Sequence, residues 1–216
     1  LLRRNASPTP QTALDEIDRA GVRLSKAADI DEVMGHEGQG AAAYFGEFSR
    51  LLRPAGGAPG EFEWTSRNRR PPRDPVNAML SFAYAMLVGV CKVAVWIAGL
   101  DPMLGFLHAD RPGGPALALD FMEEYRPILA DSVVLSVINT GELRSTHFVQ
   151  RSNTSNLTED DRKKFIAAWE YRLDRLLLHP IFGYRVSHQK LPEIKARLLA
   201  RHPLGELPEY PEFRTR

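Results

Sequence analysis

The run of residues 76–100 limits the possible folds more than any other stretch. It is the most hydrophobic segment of the chain, and Asp74-Pro75 opens it with a good N-cap and first-turn pair. A run of this length is either a membrane span or a helix buried in a protein core. Asn77, Ser81 and Lys92 interrupt it. A lysine near the centre of a span costs roughly 2.5–3.5 kcal/mol on insertion scales, and the uncharged stretches are too short for a full crossing. The run therefore predicts a central helix of an all-α domain with no membrane role. Strand-like alternation is scarce elsewhere, and no internal repeat is evident.

The flanking segments fit that class. Residues 1–10 form a lead-in ended by Pro8 and Pro10, residues 11–202 the helical domain, and residues 203–216 an extended tail, read as a docking arm or a disordered end. Within the domain the pattern predicts helices over about 11–26, 29–52, 76–100, 115–139, 158–179 and 192–202. Residues 142–157 read as polar loop. Thr158 with Asp161 resembles a capping box, Asp replacing the usual Glu or Gln. Net charge is +1, but residues 162–216 carry 12 Lys/Arg against 6 Asp/Glu, leaving the rest net −5. A basic back permits a polyanionic partner. The single cysteine, Cys91, excludes an internal disulfide and a Cys-based zinc site, and a reducing, cytoplasmic setting is the default.

Three places break the pattern. The helix over 29–52 has an apolar stripe of Ile30, Met34, Ala41, Tyr44 (or Phe45), Phe48 and Leu51 (or Leu52), and Glu37 occupies the position between Met34 and Ala41. Such breaks mark functional sites; the alternative is a kink or helix end near Gly38 that takes Glu37 to water. Gly35, Gly38 and Gly40 would let another backbone or a substrate come close. Second, the apolar helix after Pro115 carries Asp120, Glu123 and Glu124. Ionised carboxylates there need partners or a metal, unless they face solvent at the helix start, where the dipole favours them. Third, His108 stands in the turn-rich approach to that helix. Histidine with carboxylates suits Mn²⁺, with Mg²⁺ possible and Zn²⁺ not excluded. No His-Glu-x-x-His helix is present.

Basic residues supply candidate phosphate contacts. Residues 64–73 hold Arg67, Arg69, Arg70 and Arg73 with no acid, and Trp64 could stack on a base. The helix from about Thr158 adds Arg162, Lys163 and Lys164. A solvated loop is the plain alternative for the arginine run. His36, His147, His179, His188 and His202 read as solvated or capping residues. Cys91, Tyr44, Tyr84 and Trp169 read as core.

These segments resemble the catalytic C-terminal domain of the CRISPR-associated integrase, the metal-dependent endonuclease of spacer acquisition. The matching pieces are Gly35-His36-Glu37-Gly38 with Tyr44-Phe45, and Asn68 to Asn77 leading to Leu80-Ser81-Phe82-Ala83-Tyr84. Further on come Gly99-Leu100-Asp101-Pro102 with Gly105-Phe106-Leu107-His108, and Leu119-Asp120-Phe121-Met122-Glu123-Glu124-Tyr125-Arg126-Pro127. The end, 206–216, resembles the subgroup fused behind an iron–sulfur exonuclease domain. Gly40 and Ala42 depart from the family, which often has Ala and Arg there.

The resemblance implies an all-α helical bundle preceded by an N-terminal β domain, with Leu1 to Arg4 as its exit. It implies Glu37, His108 and Glu123 as ligands of Mn²⁺ or Mg²⁺, and Asp120 as an auxiliary catalytic carboxylate. The implied reaction inserts short foreign DNA into the CRISPR array, a 3′-hydroxyl attacking a phosphodiester at a repeat edge. The implied partners are double-stranded DNA (prespacer and repeat), a second copy in a homodimer, and a small CRISPR-associated dimer bridging two integrase dimers. Two other readings stand beside it: a DNA-holding, non-cutting copy of the same assembly, and a zinc hydrolase sharing only the ligand types.

Overall fold

The computed structural model describes residues 1–57, 60–108 and 114–211. Eight α-helices and two short hairpins occur among them. The helices are α1 (Leu2–Asn5), α2 (Gln11–Leu24), α3 (Ile30–Gly46), α4 (Pro75–Ile97), α5 (Ala116–Tyr125), α6 (Ser132–Asn139), α7 (Glu159–Asp174) and α8 (Leu191–Arg201). Strands β1 (Phe148–Arg151) and β2 (Thr154–Leu157) pair antiparallel, as do β3 (Leu176–Leu178) and β4 (Arg185–Ser187). The chain divides into two compact units, Leu1–Ser81 with Val134–Phe165 and Phe82–Val133 with Ile166–Arg216.

In the first unit the core gathers Phe48, Leu51, Val76, Met79, Leu80, Val137, Ile138 and Leu143. Asp29 caps α3 by accepting the Glu32 N–H at 2.9 Å. The helix stops at Gly46, earlier than the pattern predicts, and a 3₁₀ turn over Phe48–Leu51 carries its last apolar residues into the core. No residue of α3 itself is buried. Ile30 and Met34 are exposed, so Glu37 does not lie on a buried stripe; it is half-buried on a helix that continues through Gly38. The alternative of a helix end there is not met, and the apolar spacing at the N-terminal half of α3 reflects composition rather than a core face.

Asp74 caps α4 as expected, its Oδ1 accepting the Asn77 N–H at 2.8 Å. By length and composition α4 could cross a membrane, but half of its most apolar window is buried inside the protein. Asn77 is fully buried. Its amide donates to the Ser66 carbonyl and to Asp74, and its Oδ1 accepts from Arg67 and from the Asn68 N–H. The polar residue that argued against a membrane is thus the stitch that holds the arginine loop.

The segment 142–157 is not a bare polar loop. Its β1–β2 hairpin braces the arginine loop, the Ser155 N–H donating to the Pro72 carbonyl at 2.9 Å and the Gln150 amide to the Arg73 carbonyl at 3.1 Å. Thr158 accepts the Asp161 N–H, but the Asp161 carboxylate meets the Thr158 hydroxyl, at 2.6 Å, and not the Thr158 N–H. Aspartate is one methylene shorter than the glutamate of a capping box. The Thr158 N–H donates instead to the His147 carbonyl.

In the second unit α5 buries Ala116, Leu117, Ala118, Phe121, Met122 and Tyr125. The expected continuous helix to Asn139 is interrupted by a π-helical segment, Arg126–Asp131, before α6. Pro127 explains it: a proline inside a helix lacks the N–H and crowds the carbonyl four residues back, so the ladder widens locally. The Ile128 carbonyl then accepts from the Ser132 hydroxyl at 2.6 Å and the Arg172 guanidinium at 2.8 Å. α7 also ends sooner than predicted, because Leu176–Leu178 leaves to pair with β4. His179 and His188 are buried rather than solvated. The His179 ring accepts the Ile181 and Phe182 N–H groups in the hairpin turn, and the His188 ring bonds the Arg175 carbonyl. Burial, then nearby lysine or arginine charge, holds both imidazoles below their ordinary pKa.

Candidate metal centre

The site grows from Gly105. A Cβ there would come within 2.7 Å of the Ala116 Cβ and 2.8 Å of the Ala116 carbonyl carbon. Only glycine lets this loop lie directly on the first turn of α5. That turn's own free donors are met from the same loop, the Leu117 N–H reaching the Pro102 carbonyl at 3.0 Å.

Close approach delivers three successive N–H groups to one carboxylate. Asp120 Oδ2 accepts from Phe106 at 2.6 Å and Leu107 at 3.0 Å, and Oδ1 accepts from His108 at 3.0 Å. Oδ1 also meets the His108 ring at Nδ1, 2.7 Å away. Burial opposes ionisation of Asp120, but the His108 ring and the three N–H groups outweigh it and hold the carboxyl below its ordinary value. Asp120 therefore does not face solvent as a helix-start acid. The contact orients His108: a neutral ring with Nδ1–H donating to the carboxylate would leave the Nε2 lone pair for an electrophile. A carboxylate behind an imidazole is the support that metal-binding histidines receive.

Glu123 sits one turn beyond Asp120 and is ion-paired with Arg126. Glu124 points elsewhere, to Lys195 Nζ at 3.2 Å. Lys195 is buried, lies 4.4 Å from the Tyr210 ring centroid and donates to the Pro211 carbonyl. The tail is thus a docked arm as far as Pro211; the residues beyond lie outside the described ones. Burial, then Glu124, pushes the Cys91 thiol and the Tyr210 hydroxyl far up. Cys91, Tyr84 and Trp169 are core, as the sequence predicts.

The structure brings His108, Asp120 and Glu123 to one loop and one helix. Glu37 belongs to the first unit, on α3. Among the described residues no three His, Cys, Asp or Glu side chains form a group close enough to hold an ion. The donor types nevertheless suit a divalent cation: an imidazole oriented by Asp120, and the Glu123 carboxylate one turn further along α5.

The basic candidates separate. Arg67 is tied into the loop through the Asn68 carbonyl, Asn77 and Ser81. Arg69, Arg70 and Arg73 are exposed. Trp64 is no base platform: its ring packs 4.8 Å from Phe48 and its indole N–H donates to the Phe45 carbonyl. Lys163 and Lys164 are exposed but paired with acids of their own helix, Asp160 at 3.1 Å and Asp161 at 2.8 Å. The acidic first turn of α7 offsets the charge that the sequence offered to DNA.

The family model described as CRISPR associated protein Cas1 matches residues 1–171. The chain belongs to the Cas1 family. A CRISPR-associated exonuclease Cas4/endonuclease Cas1 fusion of Geobacter sulfurreducens is 51% identical over 191 residues, covering 88% of this chain and 34% of that protein. A Cas1 protein of Thermotoga maritima superposes with a TM-score of 0.79 at 26% identity, over 89% of this chain and 58% of that one. A casposase bound to its integration product gives 0.78 at 25% identity, over 92% and 58%. The chain thus spans about a third of the fusion and well under two thirds of the solved Cas1 chain. The Cas1 likeness agrees with the helical fold.

Proposed function

We propose that this chain is the metal-dependent catalytic domain of a DNA endonuclease and integrase of CRISPR adaptation. The observation that carries the reading is the Asp120-held imidazole of His108 in a Cas1-family chain. His108 and Glu123 are the ligands offered by the second unit, and the sequence resemblance adds Glu37. When bound, Mn²⁺ or Mg²⁺ supplies polarisation of the phosphoryl oxygen and a lowered pKa for the attacking hydroxyl or water.

The chain's own residues do the rest. Asp120 accepts from Nδ1–H and aims the ring, which leaves Nε2 as the ligating nitrogen. Gly105 keeps the loop on α5. Arg69, Arg70 and Arg73 hold DNA by its phosphates, contacts that position without reading sequence. In the reaction a 3′-hydroxyl oxygen forms a new P–O bond, the P–O bond to the 3′ oxygen of the strand flanking the repeat breaks, and the proton lost from the attacking hydroxyl is balanced by one taken up from water by the departing oxygen. The proposed partners are duplex DNA, a second copy, a small bridging dimer, and a fused exonuclease domain of the kind named in the Geobacter relative; the setting is the cytoplasm.

The test is cleavage and strand transfer on duplex DNA by the intact protein, with Mn²⁺, Mg²⁺ or Zn²⁺ and an EDTA control. Activity with Mn²⁺ or Mg²⁺, lost with EDTA and in His108→Ala, is the expected result. DNA retention without cleavage supports a holding subunit, and activity with Zn²⁺ alone a zinc hydrolase. Activity unchanged in His108→Ala rejects the site.

A further inference from the structure

Arg126 is the first residue past α5 and opens the π-helical segment. Its guanidinium is ion-paired with Glu123 and lies 4.9 Å from the ring centroid of Tyr84. The Tyr84 hydroxyl donates to Asp131 Oδ1 at 2.8 Å, and Asp131 is fully buried at the far end of the same segment. Tyr84 is thereby held in place, and its face is fixed under Arg126. The Arg126 side chain is 17% exposed, and its buried Nε–H meets no hydrogen-bond acceptor among the described residues. A guanidinium carries five donors in a planar fork that suits a carboxylate and a phosphate alike.

We propose that Arg126 is a positioning residue for Glu123: it holds the carboxylate in the metal-free protein, yields it to the cation, and then turns its fork to a phosphate of the DNA. The inference rests on Glu123 being a metal ligand. Glu123 cannot give its full charge to both partners, so Arg126 and the cation compete for it. An arginine this poorly solvated is costly to leave without an anion. The face of Tyr84 compensates only in part. The anion that the reaction brings to this place is the phosphodiester.

Competition gives opposite signs to two readouts, which a merely structural arginine would not. Mn²⁺ affinity is measured without DNA, from the free-ion electron paramagnetic resonance signal, for the intact protein and for Glu123→Gln, Arg126→Gln and Arg126→Lys. DNA cleavage is then measured at saturating Mn²⁺. Arg126→Gln should bind Mn²⁺ more tightly by on the order of tenfold, since a cation leaves the neighbourhood of another. Its cleavage rate should fall by on the order of 100-fold. Arg126→Lys, which keeps charge but loses the fork, should fall between in both, and it decides the matter should Arg126→Gln fail to fold. Weaker Mn²⁺ binding in Glu123→Gln, with affinity in both Arg126 variants no tighter than wild type, overturns the competition. Tighter binding with undiminished cleavage overturns the phosphate contact. Unchanged affinity in Glu123→Gln means that Glu123 is no ligand, and the reading beneath the inference fails instead.

Discussion

α3 and α5 both carry candidate ligands, and they hold them in opposite ways. α5 buries six of its ten residues, and each of its three acids has a fixed partner: loop N–H groups and an imidazole for Asp120, Arg126 for Glu123, Lys195 for Glu124. α3 buries none of its seventeen and contains Gly35, Gly38 and Gly40. The glycines differ in the same sense. A Cβ at Gly105, beside α5, would collide with backbone, whereas a Cβ at Gly35 or Gly38 meets nothing within 4 Å. The α5 acids are held by partners within their own unit. A Cβ at Gly40 of α3 meets only the Ala20 Cβ, at 3.6 Å, an ordinary contact, so α3 has open space where the Gly105 loop has none.

Asp120→Ala should do the most damage to that contrast. It strips the acceptor from three N–H groups and the His108 ring, which costs about 3 kcal/mol, roughly 6–12 °C in Tm for a chain of this size. Mn²⁺ affinity should weaken by about 10–100-fold, the usual effect of losing such a support. If calorimetry shows Tm unmoved, the carboxylate is not the cradle described. Gly105→Ala comes next, at about 2 kcal/mol for forcing a methyl into packed atoms, or roughly 4–8 °C. Gly38→Ala should move the other way. An exposed helical glycine with open space costs roughly 0.5–1 kcal/mol relative to alanine, so this variant melts higher while DNA cleavage drops. A higher Tm with full cleavage would show that nothing needs to approach Gly38.

The asymmetry explains what the sequence could disclose. The cap at Asp74, the buried α4, the helix end at Asn139 and the Thr158–Asp161 pair depend on near neighbours, and they were legible. The pairing of His108 with Asp120 was half legible: both residues stood out, but the Gly105 contact that joins them is a matter of loop path. Arg126 stood within a piece that matches the family but drew no role, because an arginine after a glutamate-rich turn reads as an ordinary surface pair. The two hairpins were missed because strands of three or four residues are too short to show alternation. The α3 stripe was over-read, since apolar spacing reports a potential face and not what covers it. Lys163 and Lys164 are paired with acids three positions earlier on α7, which a count of basic residues does not show.

The smallest predicted effect tests that last point. Hydrogen bonds from Lys164 and Thr158 hold the Asp161 carboxyl below its ordinary value of 3.8. A depressed folded-state pKa stabilises above the ordinary value and is lost as pH falls through the folded one. Asp161→Asn should therefore melt slightly below wild type at pH 7, and the two curves should converge as pH falls from 3.8 through the lower folded-state value. A gap that persists in acid would mean the loss is one of shape and not of charge.

The central claim is that an imidazole steadied by Asp120 meets the metal. Electron spin-echo modulation of Mn²⁺ bound to the intact protein reads it directly. The account predicts a nitrogen-14 coupling from a directly bound ring nitrogen in the wild type, absent in His108→Ala. A wild-type spectrum without that coupling, or one that keeps it after the substitution, would contradict it.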